Sequence, residues 1–371
     1  NYGKVSDYIK NKGNFEMSIT IDDIAAKCGL SRSTVSRVLR SSPNVSEKSR
    51  QLVQKVIEES GYRPNQVAQS LAQGYSNTVA LIIGNISSIA QIEIVKEIQR
   101  ELYERHFMTW LCNSDYDPDL CAAYLDTALS SKLAGVVLIT ANPASQKLRQ
   151  ISSAGMPIVL INQQESTANC DSVLSNDQRA AYDAVNYLVR KGHRNIVLLS
   201  SYRARITSYN AYLGYCAALE ENGIQFSDNK VYNIEIDEYS NALKMRRTFE
   251  ANALFSKNSD VSAVVCTSNE VLTEFYWQCR KMGLSIPDSL SLVSLDPVQE
   301  ATSPEIDFCS FGAPQHLLGK AATEQLFTRI QARNSSKSGL LQISNTNIVL
   351  DPVFTAGSSV RDLTSAHSSA R

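Results

Sequence analysis

The residues best equipped for chemistry in this chain sit in one short run, Ser31-Arg32-Ser33-Thr34-Val35-Ser36-Arg37. Two guanidiniums and four hydroxyls within seven residues make a surface of hydrogen-bond donors. An arginine fork matches guanine O6 and N7, and hydroxyls reach base edges or phosphate oxygens, so a DNA groove is a natural target. The same residues also fit an ordinary solvated helix face, and short patterns of this kind often are one.

The flanking spacing says what must hold that run. Thr20 followed by Asp23 has capping-box spacing and predicts a helix from Ile21 that buries Ile24, Ala25 and Cys28 and ends at Gly29. Ser31 is the next cap, with Val35, Val38 and Leu39 on the inner side of a second helix, so the two have helix-turn-helix spacing. With Val35 and Val38 inward, Arg32, Ser33, Ser36 and Arg37 point outward. A third helix, capped by Ser46 and stopped by Gly61, offers Leu52, Val53, Val56 and Ile57 to the same small core. After Arg63-Pro64 the run Asn65 to Ala72 has helical spacing, with Val67, Ala68, Leu71 and Ala72 on one side. A helix that short is marginal in water unless it packs on something else.

From about Tyr75 the texture changes. "TVALIIG", "GVVLIT", "PIVLIN", "NIVLLS", "AVVCTS" and "SLSLVSL" read as buried parallel strands, with helical stretches such as "IEIVKEIQRELYER" and "AAYDAVNYLVRKG" between them. This α/β pattern is long for one sheet, so two doubly wound subdomains are expected, with a ligand cleft at the carboxyl ends of the strands. The stretch from Gly357 is Ser-rich without heptads and reads as a disordered tail. The lysine-bearing first seventeen residues read as a flexible arm.

Bulk properties fit a DNA-facing front end. The 371 residues carry a net charge of −1, but residues 1–75 hold 11 Lys+Arg against 7 Asp+Glu, and the remainder 25 against 30. The basic part is the one suited to phosphate. Eight cysteines are scattered with no CxxC, which speaks against a zinc site or a disulfide framework. His106, His193, His316 and His367 stand far apart, and HExxH, GxSxG, Walker A and GxGxxG are all absent. No catalytic activity, metal or cofactor is expected; His193, at a helix-to-strand junction, reads as a cap favoured by the helix dipole. No apolar run reaches the length of a membrane span and no signal peptide opens the chain, so a cytoplasmic location and no membrane partner are expected.

Five stretches carry a resemblance: "TIDDIAAKCGLSRSTVSRVL", "NVSEKSRQLVQKVIEESGYRPNQVAQSL", "KGHRNIVLL", "YLGYCAALEENGI" and "SIPDSLSLVSLD". In order and interval they resemble the lactose and galactose repressor family of bacterial transcription regulators, from about Ser18 to about Thr355. The resemblance implies an all-α helix-turn-helix headpiece with a hinge helix, then an α/β core of two doubly wound parallel-sheet subdomains like periplasmic binding proteins. Its implied segments are an N-terminal extension 1–17, headpiece 18–61, hinge and linker 62–76, core 77–356 and tail 357–371. The core divides into an N-subdomain (77–174 and 311–341) and a C-subdomain (175–310 and 342–356), with crossings near Val173–Asn176, Cys309–Phe311 and Leu341–Asn345.

The function it implies is a homodimeric regulator, expected to repress a carbohydrate-utilisation operon from a palindromic double-stranded operator under control of a small-molecule effector. A solute receptor of the periplasmic type without regulatory role is the alternative by fold. The implied DNA-contacting set is Thr20, Ser31, Arg32, Ser33, Thr34, Ser36, Arg37, Asn44 and Ser46, with Asn65, Ala68 and Leu71 on the hinge, where Leu71 would wedge between base steps. For the effector the implied set is Gln91, Arg203, Arg205, Tyr209, Asn269 and Asp296. The family's arginine three residues before "GY" is here Ala211, and Asn176-Asp177 stands where the family commonly has Asp-Asn. With that clamp missing, Arg203 or Arg205 suits an anionic sugar derivative, with Asp296 and Asn269 reading hydroxyls; the loop bearing the arginines also fits a solvated basic loop.

Overall fold

A computed structural model describes residues 19–39, 44–62, 75–200, 206–233, 254–256, 260–298, 303, 305–335 and 344–364. The chain forms two compact units, Asn1–Ser76 and Asn77–Arg371.

In the first unit, helices α1 (Ile21–Cys28), α2 (Arg32–Leu39) and α3 (Glu47–Ser60) surround one core of Ile24, Ala25, Cys28, Val35, Val38 and Val53. The capping box forms as the spacing predicts. Thr20 N–H donates to Asp23 at 2.8 Å and Asp23 N–H donates to Thr20 Oγ1 at 3.3 Å. Gly29 ends α1 in the left-handed region at φ 62°, which a residue with a Cβ rarely adopts. Leu52, expected inside, is 40 % exposed, and Val53 alone of α3 is fully buried. Asn65, Ala68 and Leu71 lie outside the described residues.

The second unit holds two six-stranded sheets. The first takes β1 (Thr78–Ile83), β2 (Met108–Asn113), β3 (Gly135–Ile139), β4 (Ile158–Ile161), β5 (Asp171–Ser175) and β11 (Asn347–Leu350), in the order β11-β5-β4-β3-β1-β2, all parallel. The second takes β6 (Ile196–Ser200), β7 (Val231–Asn233), β8 (Ala263–Cys266), β9 (Ser291–Ser294), β10 (Cys309–Gly312) and β12 (Val353–Thr355), in the order β12-β10-β9-β8-β6-β7. Among the described strands only β12 runs antiparallel to its neighbour. Strands β1, β3, β4, β5, β6, β8, β9 and β10 are buried, as strands covered by helices on both faces must be, whereas β2, β11 and β12 at the sheet edges are largely exposed. Among those helices are α4 (Ile89–Glu104), α5 (Pro118–Ser130), α6 (Ser145–Ser153), α7 (Asp177–Arg190), α8 (Ile206–Glu221), α9 (Asn269–Lys281) and α10 (Gln315–Ser335). Helices α7 and α8 approach closely because Gly214 has no side chain: a Cβ there would strike the Gln178 carbonyl.

Three crossings join the sheets, at residues 176, 313–314 and 351–352. The third differs from expectation. Residues 347–350 pair with β5, so the chain stays in the first sheet past 345 and crosses only at Asp351-Pro352. Asn176 Nδ2 donates to Asp351 Oδ1 at 2.8 Å and ties the first crossing to the third. Behind β5, the fully buried Arg329 of α10 forms a two-pronged bond to Asp171 at 2.7 and 2.6 Å, its Nη1 donates to Asn169 and its Nη2 also reaches Asn345 Oδ1 at 3.3 Å.

The tail is a second correction as far as residue 364; residues 365–371 lie outside the described residues. Residues 357–364 dock on the second sheet: buried Ser359 donates to the Leu292 carbonyl and accepts from Cys309 N–H, and Arg361 N–H donates to Ser291. His193, also buried, meets Ser262 Oγ and the Arg361 carbonyl, and Lys191 pairs with Asp362 at 2.9 Å. Composition suggested disorder, but the hydrogen bonds of this segment are made by backbone and small hydroxyls that hydropathy does not register.

Candidate functional site

On the headpiece, α2 turns its two valines into the core and leaves Arg32, Ser33 and Arg37 exposed. Ser31 caps this helix, accepting from Thr34 N–H at 3.2 Å, with its hydroxyl within 2.8 Å of those of Ser33 and Thr34. Arg32 reaches Asp22 at 3.4 Å across a solvent-exposed gap. Such a surface pair is worth about 0–1 kcal/mol, so Arg32 is easily released to another acceptor. Arg37 meets no partner among the described residues. Thr20 is occupied by its capping box and Ser46 caps α3, accepting from Ser49 N–H at 3.3 Å, while Asn44 is exposed just before it. Helix N-termini of this kind suit phosphate oxygens.

In the second unit the carboxyl ends of both sheets face one cleft of about 170 Å³. This is where doubly wound sheets bind ligands, because the strand order reverses there and the following helices diverge. From the first sheet come Asn85, Ser88, Gln91, Tyr116, Thr140 and Asn162; from the second, Asp177, Thr207, Ser208, Thr267, Glu270, Glu274 and Asp296. Gln315, at the start of α10, lines it as well, and Ala90, Ile94 and Val271 add apolar surface.

The two sides are built differently. Gln91 is 6 % exposed, its Oε1 accepts from Gly84 N–H at 2.9 Å and Asn85 N–H at 3.1 Å, and its Nε2 donates to Tyr116 OH at 3.2 Å. Tyr116, Thr140 and Asn162 hold left-handed backbones, at φ 60°, 53° and 54°. For a β-branched residue such as Thr140 this is a strained state of the kind that gathers at binding sites. Opposite, burial and the neighbouring Glu270 push the Asp296 carboxyl up to about 7. Burial first and Asp296 second raise Asp177 well above the usual carboxylate range. Among the described residues no group of three or more His, Cys, Asp or Glu is placed to hold a metal ion.

Of the expected effector residues, Gln91 and Asp296 line the cleft. Asn269 does not: it is buried at the start of α9, where its N–H donates to Asp296 at 3.4 Å and its carbonyl accepts from Thr273 at 2.7 Å. Tyr209 is 55 % exposed and absent from the lining, because Ser208, Ala211 and Tyr215 mark the buried face of α8 and Tyr209 lies a third of a turn away. Arg203 and Arg205 lie outside the described residues. Ala211 is 1 % exposed within the apolar core, and Thr207 and Ser208, a turn earlier, reach the cleft instead. The expected anionic ligand finds no lysine, arginine or histidine among the described lining, and four carboxyl groups. Asp177, Glu270, Glu274 and Gln315 line the cleft outside the expected set, and the Asn176-Asp177 inversion is the one feature of the sequence that points near them.

A family model described as "Bacterial regulatory proteins, lacI family" matches residues 20–65, and one for "Periplasmic binding proteins and sugar binding domain of LacI family" matches residues 78–349. The chain belongs to the LacI family. It is a DNA-binding transcriptional regulator of that family. Catabolite control protein A of Priestia megaterium is 28% identical over 329 residues, 88% of this chain and 97% of that protein. The HTH-type transcriptional regulator DegA of Bacillus subtilis (strain 168) is 29% identical over 76% of this chain and 82% of its own length. Among solved structures, the lac repressor dimer bound to operator and the anti-inducer ONPF has a TM-score of 0.72 at 19% identity, covering 92% of this chain and 99% of that one. The transcriptional regulator CelR-cellobiose complex has a TM-score of 0.64 at 23% identity, with the same coverage. The LacI-family headpiece separates this chain from a solute receptor of similar core. No described helix is long and apolar enough to cross a membrane.

Proposed function

We propose that this LacI-family protein is a cytoplasmic repressor that binds a palindromic operator as a homodimer and releases or tightens it when a sugar-like molecule fills the core cleft. The observation that carries this reading is the presence on one chain of an exposed Arg32-Ser33-Arg37 surface and a polar cleft at the carboxyl ends of two parallel sheets. Two headpieces one helical turn apart read a site whose symmetry mirrors the dimer. Arg32, Ser33 and Arg37 read base edges, Thr20, Ser31, Thr34, Ser36, Asn44 and Ser46 position the helices on phosphates, and Asn65, Ala68 and Leu71 act in the minor groove. The cleft binds without turnover. Its ligand controls DNA affinity only by preferring one of two conformations, so the crossings at 176, 313–314 and 351–352 are the places that flex.

The lac repressor structure names an operator and the CelR structure names cellobiose, and both support the reading. The test is an operator selected from random DNA, bound by wild type and by Arg37→Ala. A loss of about 1–3 kcal/mol on the selected site with little change on random DNA is expected. Equal losses on both would make Arg37 a phosphate contact and refute its base-reading role.

A further inference from the structure

The hydrogen-bonding capacity left over in the cleft is unevenly distributed. On the first-sheet side the amide oxygens are engaged by the protein itself. Gln91 Oε1 takes two backbone N–H groups, Asn85 Oδ1 accepts from Ser87 N–H at 2.7 Å, and Asn162 Oδ1 accepts from Ser175 N–H at 2.9 Å. Gln91 Oε1 is thereby filled and the two asparagine oxygens are half used, whereas each amide keeps an N–H beyond the one Gln91 gives Tyr116 OH, which suits hydroxyl oxygens. The second-sheet side offers the reverse. Asp177 opens α7, Glu270 lies on α9, and Asp296 follows β9, all three lining the cleft, where Asp296 accepts a long bond from Asn269 N–H at 3.4 Å. Glu274, a turn on along α9, also lines it but already accepts from Gln278 Nε2 at 2.9 Å. No lysine, arginine or histidine stands among the described lining; Arg203 and Arg205 are outside the described residues.

A second observation points to a missing donor. Gln315 is 8 % exposed and lines the cleft; its Nε2 donates to the Ala313 carbonyl at 3.3 Å, and its Oε1 has no hydrogen-bond partner among the described residues. A buried acceptor left unmade costs about 1–3 kcal/mol, and at a cleft a ligand donor can recover it. The carboxylates do not converge on a metal cage among the described residues. An ammonium group, with three donors and no acceptor, fits this demand.

Building on the cleft as effector site, we propose that its ligand is a protonated amine on a hydroxylated scaffold, such as an aminated sugar or aminocyclitol. The ammonium sits among Asp177, Glu270, Asp296 and Gln315 Oε1, and the hydroxyls take amide N–H groups of Asn85, Gln91 and Asn162. The crowding that holds protons on Asp296 and Asp177 is relieved by the cation, so binding releases protons.

The test is calorimetry on the full chain with glucosamine, galactosamine, mannosamine and 2-deoxystreptamine, against glucose, galactose, mannose, N-acetylglucosamine, glucose 6-phosphate, glucuronate and Mg²⁺. One amine should bind at least about tenfold more tightly than its neutral or N-acetylated counterpart, the gain of one charge-assisted bond. Its affinity should rise between roughly pH 5.5 and 7 as Asp296 ionises, with protons released. Asp296→Asn should lower amine affinity about tenfold and flatten the pH profile. Tighter binding of a neutral or anionic sugar, binding of Mg²⁺ in place of amines, or no amine bound at millimolar concentration overturns the proposal. Operator binding separates the two readings. An amine that binds with this profile but leaves operator affinity unchanged upholds the ligand class and sinks the regulatory coupling. A neutral sugar that binds more tightly than every amine and releases operator does the opposite.

Discussion

The two walls of the cleft store strain in different forms. Among the described residues, every non-glycine with positive φ, including Tyr116, Thr140 and Asn162, belongs to the first-sheet subdomain. The four lining carboxylates belong to the other. One wall is set by backbone geometry, with amide oxygens tied down and Arg329 behind β5; the other is set by carboxyl groups, two of which, Asp177 and Asp296, burial holds toward the protonated form. A geometric wall recognises shape whatever the pH, while a charged wall changes its demand with proton concentration and with the ligand's own charge.

The largest test of this contrast is Arg329→Leu. It leaves Asp171 buried without its cation and should cost about 3–5 kcal/mol in urea unfolding. A loss under about 1 kcal/mol would mean that the first wall does not rely on this pair. Next comes Gly84→Ala. A Cβ at Gly84 would run into the Tyr116 ring and the Thr140 carbonyl, so about 1–3 kcal/mol should be lost and the Gln91 anchor displaced. The pH response of the opposite wall should survive in this variant. If it vanishes, the walls are not independent.

The smallest effect is on the pH dependence of the unliganded protein. Asp296 sits at about 7 in the folded chain against 3.8 for an ordinary aspartate, so between those values the folded state holds a proton that the unfolded chain has released. Its stabilising contribution is full below about 3.8 and is lost as pH rises toward 7; Asp177 acts in the same direction. Thermal midpoints across that window should fall less steeply for Asp296→Asn than for wild type. Identical slopes would place the buried charge elsewhere.

The same contrast explains what the sequence showed. Six apolar runs announced six strands because burial on both faces leaves a continuous signal. Strand β2 gave none: Met108, Trp110 and Leu111 lie exposed at a sheet edge. The late crossing at Asp351 was hidden because β11 and β12 are short and separated by one dipeptide. In the site, Asp296 was legible as a polar residue ending a strand. Glu270 and Glu274 carry no motif that sets them apart from other helix glutamates, and only the fold places them on the same cleft as Asp177. Gln315 had no signal at all, since an unmet acceptor is a property of three-dimensional surroundings. Tyr209 misled because the start of its helix, and so the phase of its buried face, was uncertain by a residue or two.

The interleaved path through the two sheets also sets an order of birth. Residues 19–62 contain every described part of the helix-turn-helix unit, so it can close as soon as they leave the ribosome. Neither sheet of the core can. The first waits for α10 and β11, and the second for β12 and residues 357–364, which seal Ser291, Leu292 and His193. Each nascent chain therefore passes through an interval in which the three-helix core is closed while both sheets still lack strands.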